Sequence, residues 1–168
     1  MSEKMDGIRA YWDGSNLLSR HGKKISTPIW FVEELPSVPL DGEMWMGRGK
    51  FEKLLSVLKT KDSNWDEVGY YLFDLPESSD PYEERMNQLD ELKQILPTHV
   101  HIVAIRKCQG REHLEEYLES IIEKGGEGIM ARQPLSLYVK GLTSTLIKVK
   151  ADFFTILINF LSLLKIAK

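Results

Sequence analysis

Residues 3–9 read Glu3-Lys4-Met5-Asp6-Gly7-Ile8-Arg9, which places an amine, a carboxylate and a guanidinium close together at the mouth of an alternating segment. A lysine amine attacks an electrophile only in its neutral form, and with an ordinary pKa of about 10.4 it is protonated at neutral pH. A reactive lysine therefore needs neighbouring cations or burial to lower that value. Leu146-Ile147-Lys148-Val149-Lys150 offers such cations, because residues two apart on a strand share a face. Lys148 and Lys150 therefore project together, as a paired cationic face of the kind that binds phosphate oxygens. Gly7 allows a close backbone approach that a side chain would block. Each run also fits a plainer structure: a turn with a solvated lysine at residues 4–7, and a solvated strand face at 146–150.

Other chemistries lack their residues. Gly47-Arg48-Gly49-Lys50 has neither the spacing of a Walker A loop nor its following Ser or Thr. His99 and His101 share a strand face but have no third ligand nearby in sequence, which favours a core or surface role over metal binding. No nucleophilic Ser/His/Asp or Cys/His arrangement is present. Cys108 is the single cysteine, so one chain builds neither a disulfide framework nor a cysteine zinc site, and a reducing compartment fits.

The elements that must position these residues are short and mixed. Residues 7–12 alternate, Asp13-Gly14-Ser15-Asn16 supplies turn residues, and 17–20 closes a hairpin. Further strands are predicted at 40–45, 68–75, 100–106, 128–132 and 145–150. Helical periodicity links Phe51, Leu54, Leu55 and Leu58, and again Leu114, Tyr117, Leu118, Ile121 and Ile122 before Gly125-Gly126. A third helix is marked by Asp80 as cap, Pro81 at the first helical position and Glu83 three residues after the cap. Met86, Leu89 and Leu96 lie on one side of it, and Pro97 ends it. With no internal repeat or long linker, this order predicts one α+β domain with mostly antiparallel sheets flanked by helices.

The 168 residues suffice for one core, and 22 basic against 25 acidic groups leave a formal charge of −3. The charge is uneven: residues 1–50 sum to 0, 51–100 to −6 and 101–168 to +3. Any polyanion site must then be local, since no global basic field supports it. The N-terminus is polar from Met1-Ser2-Glu3-Lys4 and shows no apolar signal region, so an intracellular location is expected. Residues 153–164 are nearly all apolar, yet twelve residues fall short of the about 20 that span a bilayer, so no membrane span is expected.

Four further runs complete a pattern with the two lysine runs: Ser19-Arg20-His21-Gly22-Lys23, Leu40-Asp41-Gly42-Glu43-Met44-Trp45, Leu72-Phe73-Asp74-Leu75 and Glu127-Gly128-Ile129-Met130. Six short motifs in this order and spacing resemble the nucleotidyltransferase (adenylation) domain of ATP-dependent DNA ligases, most closely the small bacterial-type ligases without accessory domains. The resemblance covers about residues 2–150. It implies the fold of the DNA ligase and mRNA capping enzyme catalytic domains, with ATP and Mg²⁺ as cofactors and nicked duplex DNA as partner of a monomer. It also implies work in repair, replication or recombination.

By the same resemblance, Lys4 attacks the α-phosphate of ATP, releases pyrophosphate and becomes lysyl-AMP. AMP then passes to the 5′-phosphate at a nick, and the adjacent 3′-hydroxyl seals the backbone. Arg9 and Arg20 contact the nucleotide ribose or the nick phosphate, Glu43 sits at the ribose, and Glu127 helps hold the divalent cation. Phe73 stacks on adenine, or is plain core alongside Tyr71. Asp6 orients either Lys4 or the metal. Arg48, Lys50, Lys23 and Lys24 lie where they could contact DNA phosphates, or are simply surface charge. The family carries a segment before the motif lysine and an oligonucleotide-binding (OB) domain after the paired lysines, whereas here three residues precede Lys4 and an apolar tail at 151–168 follows. The alternatives are thus a truncated, impaired nucleotide- or nucleic-acid-binding fragment, or an RNA ligase or capping-type nucleotidyltransferase.

Overall fold

The computed structural model describes residues 1–60 and 63–150, and the apolar tail lies outside the described residues. In chain order the elements are β1 (Ser2–Glu3), β2 (Ile8–Trp12), β3 (Leu17–Ser19), α1 (Ile29–Val32), β4 (Leu40–Trp45), α2 (Phe51–Lys59), β5 (Gly69–Asp74), α3 (Tyr82–Leu92), β6 (Val100–Ile102), α4 (Arg111–Glu123), β7 (Gly128–Arg132) and β8 (Leu146–Lys150). They form two compact units: a larger one of Met5–Val103 with Gln133–Thr143, and a smaller one whose described residues are Met1–Lys4, Ala104–Arg132 and 144–150.

The larger unit holds a five-stranded sheet in the order β3-β2-β4-β5-β6. The predicted hairpin is present, with Ala10 opposite Ser19 and the Asp13 carboxylate accepting from the backbone N–H groups of Ser15 and Asn16 at 2.8 and 2.6 Å. Alternation puts Ala10, Met44, Tyr70 and Leu72 on the face packed into the core with Trp12, Phe31, Leu54 and Leu89. The opposite face carries Arg9, Glu43 and Tyr71 side by side across β2, β4 and β5. Every pairing in this sheet is antiparallel except β5 with β6, which is parallel.

The smaller unit is an antiparallel sheet β1-β7-β8, and α4 packs Tyr117, Leu118 and Ile121 with Ile129. The strand expected at 100–106 stops at Ile102, and the chain leaves the larger unit after Val103. Arg106 instead exchanges backbone hydrogen bonds with Met1 at 2.6 and 2.7 Å.

The third helix differs from its expectation at both ends. Pro81, not Asp80, occupies the cap position, with no side-chain cap. The Asp80 carboxylate is drawn away by Ser78 Oγ and Gln88 Nε2 at 3.1 and 2.7 Å. Leu92 ends the helix, and Leu96 reaches the core from the irregular segment beyond.

Candidate active site

In the smaller unit β7 is the central strand, and its neighbours each deliver a lysine. On one side β1 pairs Glu3 with Ile129, and Lys4 extends the ladder by donating its backbone N–H to the Gly128 carbonyl at 2.9 Å. On the other side β8 pairs Lys150 with Gly128 and Lys148 with Met130. Gly128 is required here, with φ at 150° and a Cβ position only 2.3 Å from the Val149 carbonyl oxygen.

Glu127, just before β7, lies between the two lysines: Oε2 accepts from Lys4 Nζ and Oε1 from Lys150 Nζ. Lys4 is the most sheltered of the three, its side chain 17% exposed against 26% for Glu127 and 47% for Lys150. Burial pushes the Glu127 carboxyl upward, but hydrogen bonds from Lys150 and Lys4 outweigh it and hold the group below the usual carboxylate range. Lys148 stands exposed two residues along β8, on the same side of the strand as Lys150.

The second cluster is on the outer face of the large sheet. Arg9 grips the fully buried Asp41 with both edges of its fork, Nε to Oδ1 at 3.0 Å and Nη2 to Oδ2 at 2.6 Å. Tyr138, on the segment Gln133–Thr143, donates its hydroxyl to Asp41 Oδ2 at 2.8 Å and accepts from Arg9 Nη2 at 3.1 Å. Hydrogen bonding to Asp41 raises the Arg9 pKa beyond its already high value. Burial, then the Asp41 charge, pushes the Tyr138 phenol well up, so its hydroxyl keeps its proton at neutral pH.

Phe73 belongs to this face and not to the core, which takes Leu72 instead; its ring centroid is 5.9 Å from the Arg9 guanidinium carbon. Glu43 sits opposite Arg9 and Tyr71 in the strand register. Gly7 explains how the chain enters β2: a Cβ there would lie 2.3 Å from the Met44 carbonyl oxygen and 2.8 Å from Glu43 Cγ.

Two further sequence-predicted residues lie at the surface. Asp6 is exposed. Arg20 is exposed in the turn after β3, its Nε bonded to His21 Nε2 at 3.0 Å. Among the basic residues considered for DNA, Lys50 is paired with Glu67 at 2.8 Å, together with Lys53 at 2.5 Å. His99 bonds the Phe31 carbonyl at 2.9 Å and stacks on its ring, a packing role. No cluster of three or more His, Cys, Asp or Glu side chains suited to a metal occurs among the described residues.

Sequence reading assigned no role to Asp41, Tyr138 or Arg85. Asp41 lies in the run Leu40–Trp45, two residues before Glu43. Tyr138 and Arg85 had no local signal, because their partners are distant in the chain. Arg85 is fully buried with Asp74, Nε to Oδ1 at 2.5 Å and Nη2 to Oδ2 at 3.2 Å.

Known proteins share both the sequence pattern and this fold. Residues 1–150 match the family described as "ATP dependent DNA ligase domain". A DNA ligase of Haemophilus influenzae is 32% identical over 152 residues, which is 89% of this chain and 57% of that protein. A Lig E DNA ligase, solved in a study of DNA binding with a minimal scaffold, superposes with a TM-score of 0.83 at 38% identity, covering 89% of this chain and 60% of that one. Chlorella virus DNA ligase-adenylate gives 0.74 at 25% identity, covering 89% and 59%. The chain thus spans less than two thirds of the length of these relatives. The expected α+β fold with mostly antiparallel sheets is the one observed. With the lysine motifs, the fold and the match over residues 1–150 in agreement, the chain belongs to the ATP-dependent DNA ligase domain family.

Proposed function

We propose that this chain carries the adenylyl-transfer chemistry of an ATP-dependent DNA ligase, with Lys4 as nucleophile. The observation that carries the reading is the Glu127 carboxylate held between Lys4 and Lys150 on adjoining strands. Lys4 Nζ bonds to the α-phosphorus of ATP as the bond to the pyrophosphate oxygen breaks, and Glu127 is the carboxylate hydrogen-bonded to the proton that Nζ must lose. Lys150, with Lys148 beside it, provides positive charge for the phosphate oxygens. By the family motifs Arg9 and Arg20 take the ribose or the nick phosphate, Glu43 the ribose and Phe73 the adenine, and Asp6 orients Lys4 or the metal. AMP passes next to the 5′-phosphate of nicked duplex DNA, and the 3′-hydroxyl displaces it.

A divalent cation would come in with the triphosphate and be held mainly by its phosphates, since both Glu127 oxygens already accept from Lys4 and Lys150 and no group of three or more metal-ligating side chains occurs among the described residues. Glu127 is a partly exposed carboxylate kept ionised, and Mg²⁺ binds through one or two carboxylates plus substrate phosphates without an all-protein cage. Bound there, it would neutralise charge on the departing pyrophosphate.

The test is covalent labelling. Incubation with α-labelled ATP and Mg²⁺ is expected to label the chain, with the label lost in Lys4→Ala and competed by ATP but not GTP. A folded preparation that takes no label overturns the reading, and label from GTP in preference to ATP would indicate a capping-type enzyme instead.

A further inference from the structure

Gln133–Thr143 crosses the larger unit as a strap between β7 and β8. It is fastened at successive points: the Leu135 N–H donates to Glu83 at 2.9 Å, the Ser136 carbonyl accepts from Arg85 Nη1 at 3.0 Å, and Lys140 pairs with Glu77 at 3.0 Å. Leu135 pays for this route with φ at +56°, a left-handed conformation that non-glycine residues rarely adopt. Tyr138 lies between these fastenings, and its hydroxyl closes a triangle with Asp41 and Arg9.

The triangle constrains the guanidinium. Asp41 takes Nε and Nη2, and the Tyr138 oxygen takes Nη2 as well. The Nη1 edge makes no hydrogen bond to a described residue, and the side chain is 44% exposed. A guanidinium fixed along one edge and open at the other is set to bind an oxyanion at little ordering cost.

We propose that Tyr138 is a positioning residue: it locks Arg9 against Asp41 so that the open edge of the guanidinium receives a phosphate oxygen, of the nucleotide or of the nicked strand. The identity of those ligands rests on the ligase reading; the positioning does not require that catalysis occur.

Binding without turnover tests it. Dissociation constants for ATP and for a nicked duplex bearing a 5′-phosphate are measured in EDTA for the wild-type chain, Tyr138→Phe, Arg9→Ala and the double variant. Tyr138→Phe keeps the ring and removes the hydroxyl. It is expected to weaken at least one of the two ligands about five- to tenfold, a loss that vanishes in the Arg9→Ala background because the positioned group is gone. Which ligand responds identifies the source of the phosphate. Constants within twofold of wild type for both ligands, or a full loss that persists without Arg9, overturn the proposal, as does a wild-type chain that binds neither. Normal binding differences in a chain that takes no covalent label would instead count against the ligase reading alone.

Discussion

Glu127 holds two ammonium groups with one carboxylate, so replacing its charge tests the cluster with little change of shape. Its folded-state pKa lies below the ordinary 4.5. A depressed carboxyl contributes stability that is fully present above the unfolded value and is lost as pH falls through the folded one. Glu127→Gln is therefore expected to lower the thermal midpoint at about pH 6, by an amount corresponding to roughly 1 kcal/mol or less for a partly exposed pair. The gap to wild type should close as the pH is brought below 4.5. Melting curves of both proteins across this range check it, and a gap that widens in acid contradicts the pairing. Lys4, Glu127 and Lys150 were marked in the sequence by the short motifs of the family pattern, but that one carboxylate would join the two lysines was not. The Arg9–Asp41–Tyr138 triangle was not, since Tyr138 is 129 residues from Arg9 and nothing local marks it.

Among the elements, β5, α3 and the strap are joined by one buried ion pair. Arg85 reaches Asp74 on β5, and its Nη1 caps the carbonyls of Asp80 and Ser136 at 2.6 and 3.0 Å. Breaking a buried pair leaves an uncompensated charge and costs about 3–5 kcal/mol, whereas replacing both partners with apolar groups costs much less. Arg85→Met is thus expected to lower the denaturant midpoint steeply, and adding Asp74→Leu should recover a good part of the loss. A double variant less stable than Arg85→Met would contradict this account. The same region shows where sequence patterns stop informing. Alternation placed β2, β4 and β7 well, because a sheet with one buried face imposes it. The end of α3 was set instead by competition: Ser78 and Gln88 claim the Asp80 carboxylate, and no periodic signal records that. The parallel pairing of β6 with β5 also left no trace, since three residues are too few to show a pattern.

For the whole molecule, a formal charge of −3 means that DNA is not drawn in by a broad basic field. Under the proposed ligase reading, binding rests on a few local contacts, and each neutralised phosphate contributes about −0.9 to the slope of log K against log salt. Affinity for a nicked duplex, measured between about 50 and 200 mM salt, is expected to fall with a slope of roughly −1 to −3. A slope near −6 or steeper would reveal an extended basic track that the charge distribution does not contain.

The carboxylate shared between Lys4 and Lys150 has one more consequence in the proposed reaction. Before it, two ammonium groups and one carboxylate leave a surplus of positive charge, which favours an incoming triphosphate. Once Lys4 is bonded to phosphorus its ammonium charge is gone and an anionic phosphoramidate stands in its place, so the same three side chains become net negative. The cluster then repels a second triphosphate and leaves Lys150 to the newly attached phosphate. Charge reversal thus adds to the consumption of the Lys4 amine in limiting loading to one adenylyl group.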